Sequence, residues 1–78
     1  MTYSCRAGNS GQLTFNFDLA DGERVASVLG IRTMSEYITL GQFWPNGLST
    51  VNAWIRNDTE TNVGSRSATC TALIMRYE

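Results

Sequence analysis

Any chemistry this chain performs must come from a short inventory of side chains. It holds 78 residues, no histidine and six basic residues. All six are arginine: Arg6, Arg24, Arg32, Arg56, Arg66 and Arg76. Without histidine or lysine no side chain stands ready to activate a serine as a nucleophile, and there is no G-x-S-x-G. Asp58 and Glu60 form the nearest carboxylate cluster, but they lack EF-hand spacing and supply too few ligands for a hard cation. A solvated loop is the simpler reading. Asp18, Asp21, Glu23 and Glu36 would have to face each other in pairs to hydrolyse a glycoside, and no pattern places them so. Gly8 and Gly11 belong to a polar turn, not to a phosphate loop at a strand-to-helix junction. The expectation is therefore a chain that is not an enzyme and uses neither metal nor cofactor.

What the inventory does offer is recognition. Trp44 and Trp54 are the two tryptophans, with Asn52 and Arg56 close by in sequence. Tryptophan and arginine are over-represented among binding hot spots. Indole faces stack on the apolar faces of sugar rings, while amides and guanidinium groups hydrogen-bond hydroxyls. Trp44, Asn52, Trp54 and Arg56 are the candidate ligand-binding set. The competing reading is that both tryptophans close a small core, with Asn52 or Thr50 accepting from an indole N–H.

Cys5 and Cys70 fit no metal-site spacing, which needs local pairs. The expectation is a disulfide tying the first segment to the last strand, worth about 4 kcal/mol in the chain-entropy model. The alternative is two reduced thiols. Thr/Ser/Asn-rich strands and an even cysteine count suit an oxidising, extracellular setting. Asn57-Asp58-Thr59 matches the N-glycosylation pattern, a short match that recurs by chance.

These residues need elements to position them. Hydrophobic content is 42%, enough for a folded chain, and the length is that of one domain over residues 1–78. Residues 2–12 read as a polar segment with a turn at Gly8–Gly11. Leu13, Phe15, Phe17 and Leu19 alternate with Thr14, Asn16 and Asp18, the pattern of a half-buried strand. Residues 20–23 are a turn, with Asp21-Gly22 the hairpin-type pair. Residues 24–33 fit a strand or a turn or two of helix, and Gly30 with the β-branched residues favours strand. Residues 36–44 and 48–56 are two strands, 57–65 a polar loop, and 66–77 a last long strand. The pattern predicts an all-β fold, a small antiparallel β-sandwich or barrel of about five to six strands.

Pro45 sets the expected register of the central hairpin. It has no N–H to close a two-residue turn at Asn46-Gly47. A type I turn at Pro45-Asn46, with Gly47 left-handed, pairs Trp44 with Leu48. Moving outward, Gln42 pairs with Thr50, Leu40 with Asn52, Ile38 with Trp54 and Glu36 with Arg56. Tyr37, Phe43, Val51, Ala53 and Ile55 then share one face. Ile38, Leu40, Trp44, Leu48 and Trp54 share the other, among the polar groups.

Residues 51–78 carry a resemblance. Val51-Asn-Ala-Trp-Ile55, the Asn57-Asp-Thr59 turn and Ala68-Thr-Cys-Thr-Ala72 resemble the closing strands of small β-sandwich modules from secreted bacterial proteins and bacteriophage tail-fibre tips. The resemblance implies an oligomeric surface-binding or adhesive module with an exposed sheet or loop tip. It defines no site residue.

Net charge is −1 and the arginines are scattered, which argues against nucleic acid and anionic membrane surfaces as partners. No apolar run is long enough to span a bilayer, so no membrane insertion is expected. Together these features predict a binding or adhesion module for a cell-surface glycan or protein, located extracellularly, in the periplasm or on a virion surface. A homo-oligomer would cover the second apolar face. Two other classes fit the same residues: an assembly subunit whose aromatic face is a subunit interface, and a small secreted inhibitor or toxin-like protein.

Overall fold

The structure is a computed structural model that describes residues 1–76. Among these residues the fold is all-β, with seven strands: β1 (Thr2–Cys5), β2 (Ser10–Asn16), β3 (Glu23–Arg32), β4 (Thr39–Pro45), β5 (Thr50–Arg56), β6 (Val63–Ser67) and β7 (Thr69–Arg76). They pair antiparallel as β1-β6, as β2-β5-β4 and as β3-β7. The three sheets do not close into a barrel. No helix among the described residues is long and apolar enough to cross a membrane.

The strand count exceeds the expected five to six for two reasons. The polar segment 2–12 contributes β1, because Tyr3 and Cys5 alternate inward between exposed Thr2, Ser4 and Arg6. The last strand begins earlier than expected, at Val63, and breaks at Ala68 into β6 and β7. Ala68 there bonds Met1 in both directions, its N–H donating at 2.7 Å and its carbonyl accepting the terminal ammonium at 2.8 Å. Tyr77, assigned to that strand from the sequence, lies outside the described residues. At about 3.3 Å per residue, 63–76 would span about 46 Å, close to the 49 Å long axis of the molecule.

Residues 23–32 form a strand, bulged at Ala26 and Leu29 against β7. The turn at 20–23 forms as read: Gly22 has φ 82, Glu23 N–H donates to the Ala20 carbonyl at 3.1 Å, and its carboxylate accepts Ala20 N–H at 2.8 Å. It does not make a hairpin, because β2 pairs with β5 and β3 with β7.

The core lies against the inner face of β2-β5-β4. Leu13 and Phe15 point inward from β2, Val51, Ala53 and Ile55 from β5, and Tyr3, Cys5 and Val63 close over them from β1-β6. Burying each such aliphatic or aromatic side chain stabilises the fold by about 1.5–3 kcal/mol. Tyr3 also donates its hydroxyl to the Thr33 carbonyl, which ties the segment leaving β3 to β1. Burial pushes its phenol above the ordinary value, against the pull of that hydrogen bond and of Arg66.

The disulfide does not form. Cys5 and Cys70 are separate thiols, the first buried and the second half-buried. Cys5 pairs with Val63, whereas Cys70 pairs with Ile31 on β3. The extended chain from Val63 to Cys70 covers roughly 20 Å, and a disulfide needs Cα atoms within about 7 Å. The Cys5 sulfur instead donates to the Asn9 carbonyl at 3.4 Å.

Candidate functional site

The central hairpin carries the candidate residues, and its register differs from the one Pro45 suggested. Trp44 pairs with Asn52 rather than Leu48, and Pro45 pairs with Val51. The loop is Asn46–Ser49, closed by Asn46 N–H donating to the Thr50 carbonyl at 2.7 Å, with Gly47 left-handed at φ 79 as expected. Proline is accommodated at the end of β4 because β4 is an edge strand, where a missing N–H on the open side breaks no ladder bond.

A β-bulge then changes which side chains share a face. Gly41 and Gln42 lie between the pairs Phe43↔Ala53 and Leu40↔Ile55, so two residues of β4 stand opposite Trp54. Beyond the bulge the alternation flips. Leu40 joins Ile55 on the core side and Ile38 is buried, so neither sits on the tryptophan face where the regular register put them. Glu36 does not meet Arg56; Thr39 does. Phe43 keeps the core-side parity of Ala53 yet stays 40% exposed.

The outer face of β2-β5-β4 is consequently polar, with an aromatic centre. Trp44 and Trp54 lie side by side, ring centroids 6.5 Å apart and planes tilted by 41°. That separation falls within the range of favourable aromatic pairs. Trp54 is 45% exposed and Trp44 is half-buried. Asn52, the cross-strand partner of Trp44, is only 7% exposed, its carbonyl oxygen accepting from Thr14 Oγ1 at 3.2 Å. It braces β5 against β2 rather than standing out toward a ligand. Next to Trp54 on β2 is Gln12, and next to Arg56 is Ser10.

Arg56 makes a two-point pair with Asp58: Nε to Oδ1 at 3.3 Å and Nη2 to Oδ2 at 2.9 Å. Both side chains remain well exposed, at 66% and 59%, so the pair adds little stability. What it does is hold a donor fork and an acceptor at the rim of a cleft. That cleft has a volume of about 200 Å³ and is lined by Thr39, Gly41, Trp54, Ile55, Arg56 and Asp58.

The loop behind Asp58 is fixed by Asn57, which is fully buried. Its Nδ2 donates to the carbonyls of Cys5 at 3.1 Å and Thr61 at 2.8 Å, while Oδ1 accepts from Thr59 N–H at 3.1 Å and Thr59 Oγ1 at 2.6 Å. The amide that an N-linked glycan would need is therefore occupied, and the Asn57-Asp58-Thr59 match is a structural latch. Asp58 pairs with Arg56, and no group of three or more potential metal ligands occurs among the described residues.

Of the four residues singled out from sequence, Trp44, Trp54 and Arg56 gather on one surface, and Asn52 is buried on the same face with its amide oxygen bonded to Thr14. Thr39, Gly41 and Asp58 are the participants sequence reasoning missed. Two signals pointed to them. A glycine inside a strand pattern marks a bulge or a close backbone approach, and Asp58 is two residues beyond Arg56, within reach of its side chain.

A second, larger concavity of about 450 Å³ opens at the far end of β2, between Thr14–Phe17 and Ala68–Cys70 with Met1. Apart from the terminal ammonium it presents no charged group, and Cys70 is its only thiol among the described residues. Burial raises that thiol above its ordinary pKa, which disfavours the reactive thiolate. No protein-family model, curated protein or solved structure matches this chain.

Proposed function

We propose that the chain is a non-enzymatic binding module that takes a glycan on the outer face of β2-β5-β4. The observation that carries this reading is the half-exposed Trp54 beside the Arg56–Asp58 pair, with Trp44 at 6.5 Å extending the aromatic platform. A stacking surface next to paired donors and acceptors is what a sugar ring requires. The rest of the face, Ser10, Gln12, Thr14, Asn16 and Thr50, is uncharged and hydroxyl- or amide-bearing, and suits further polar contacts along an extended chain. The setting that fits is a cell or virion surface, with the module presented as an oligomer.

The test is titration of tryptophan fluorescence and calorimetry against a panel of oligosaccharides built from glucose, galactose, mannose and N-acetylglucosamine. Saturable binding by at least one glycan, lost in Trp54→Ala with the circular dichroism spectrum unchanged, supports the reading. Absence of binding across the panel overturns it.

A second reading has its own observation. Leu73 and Met75 alternate with core-packed Ala72 and Ile74, so they face outward from β3-β7, 51% and 44% exposed, and Leu29 is 64% exposed. An assembly subunit would cover these side chains. Sedimentation of Leu73→Ser beside the unaltered chain distinguishes the two: assembly through this face is lost in the variant, while glycan binding through Trp54 is not.

A further inference from the structure

We propose that the Trp54 cleft selects a single neutral pyranose ring and rejects acidic sugars, with Asp58 as the residue that enforces the choice. This rests on the glycan-binding reading above. The size of the cleft comes first. About 200 Å³ equals the liquid volume of roughly six or seven waters, the scale of one six-membered ring with its hydroxyls. Trp54 forms one wall. Gly41 lines the cleft beside it without a side chain: a Cβ there would stand 3.4 Å from the Trp54 carbonyl oxygen and 3.5 Å from the Trp54 Cβ, at the foot of the indole.

The charge pattern decides the class. An arginine alone beside a tryptophan would favour a carboxylated sugar, through the bidentate geometry that guanidinium and carboxylate share. Here that position is already taken by Asp58, through Nε and Nη2. Two of five guanidinium N–H donors are used, and the carboxylate keeps free lone pairs beside the remaining donors. The pair is neutral overall and offers an acceptor next to a donor. Two adjacent ring hydroxyls complement it, one accepting from Arg56 and one donating to Asp58. A carboxylate approaching Arg56 would instead meet the Asp58 charge at close range. The cross-strand neighbours of Arg56 are Ser10 and Thr39, both uncharged, so neither compensates.

The experiment uses the unaltered chain, Asp58→Asn and Gly41→Ala, each checked for folding by circular dichroism. The probes are neutral oligosaccharides of glucose, galactose, mannose or N-acetylglucosamine, and matched oligosaccharides ending in sialic or uronic acid. The expected result is binding of a neutral probe and at least tenfold weaker binding of its acidic counterpart. Asp58→Asn should strengthen the acidic probe by at least about fivefold, the weight of one unit charge at about 4 Å screened as in bulk water. Gly41→Ala places a methyl in the cleft at ordinary contact distance and should weaken the neutral probe by about tenfold. Acidic probes that bind the unaltered chain as well as neutral ones would overturn the proposal and leave the glycan-binding reading standing. So would an acidic probe whose affinity is unchanged by Asp58→Asn. If no probe of either class binds, the glycan-binding reading itself falls and this proposal with it.

Discussion

Replacing Asn57 should be among the most damaging single changes in the molecule, although no apolar contact is removed. Asn57→Ala deletes four side-chain hydrogen bonds at a fully buried position. Its partners do not lose equally. Thr61 is exposed, so water can replace the amide at that carbonyl, and the Thr59 hydroxyl can rotate. The Cys5 carbonyl sits on a residue 6% exposed, and Thr59 N–H is half-buried. At about 1–3 kcal/mol for each buried group left unsatisfied, these two imply a loss of about 2–6 kcal/mol. A 78-residue chain has about 4–12 kcal/mol in total, so the variant should be close to unfolding. With a urea m-value near 1 kcal/mol/M, the midpoint should drop by about 2–6 M, read by tryptophan fluorescence. Asn57→Asp adds a sign test. It keeps the acceptor facing Thr59 but aims a carboxylate at two carbonyls, and burial raises its folded pKa above the unfolded value of about 4. The folded state then binds the extra proton. Stability relative to the unaltered chain should rise as pH falls through the folded pKa, and level off below about 4. A midpoint for Asn57→Ala within about 0.5 M of the unaltered chain would refute the latch. So would an Asn57→Asp deficit that is flat between pH 7 and pH 4.

Two other outcomes follow from the packing. Alkylation in denaturant without reductant should add two labels per chain, whereas native labelling at pH 8 should be slow, because Cys5 is buried and burial raises the Cys70 thiol. A mass showing no label under denaturing conditions would mean the sulfurs are bonded after all. Leu13→Ala, at a site 3% exposed on the inner face of β2, should cost about 2–5 kcal/mol; a smaller loss by the same urea measurement would mean that β2 does not cover the core.

What was readable in the sequence follows the reach of each signal. Period-two alternation is local, so Leu13 and Phe15 identified the inner face of β2 without knowledge of its partner. The partner is not a local property. β2 pairs with β5, far along the chain, and β3 with β7, so Asp21-Gly22 could look like a hairpin turn and join strands that never meet. β1 escaped notice because only Tyr3 and Cys5 alternate in it, too short a run to separate from polar chain. The expected disulfide failed for the same non-local reason: two cysteines near opposite termini are natural partners only if register brings them together, and β1 reaches Val63 rather than Cys70.

The bulge at Gly41–Gln42 links fold to candidate site more tightly than any single side chain does. A regular β4 would put Ile38 and Leu40 on the tryptophan face, making that face apolar and in need of cover. The extra residue sends both to the core and brings Thr39 out beside Arg56. It also leaves a side chain of zero length next to Trp54, where the cleft opens. The same local event thus completes the core at one end of the sheet and clears a polar surface around an exposed indole at the other. Trp54 pairs with Gln12 on one side and faces the bulge on the other. The ring could turn inward only by reversing the whole of β5, where Val51, Ala53 and Ile55 already occupy the inner face. Register therefore fixes the outward direction of Trp54, which is 45% exposed.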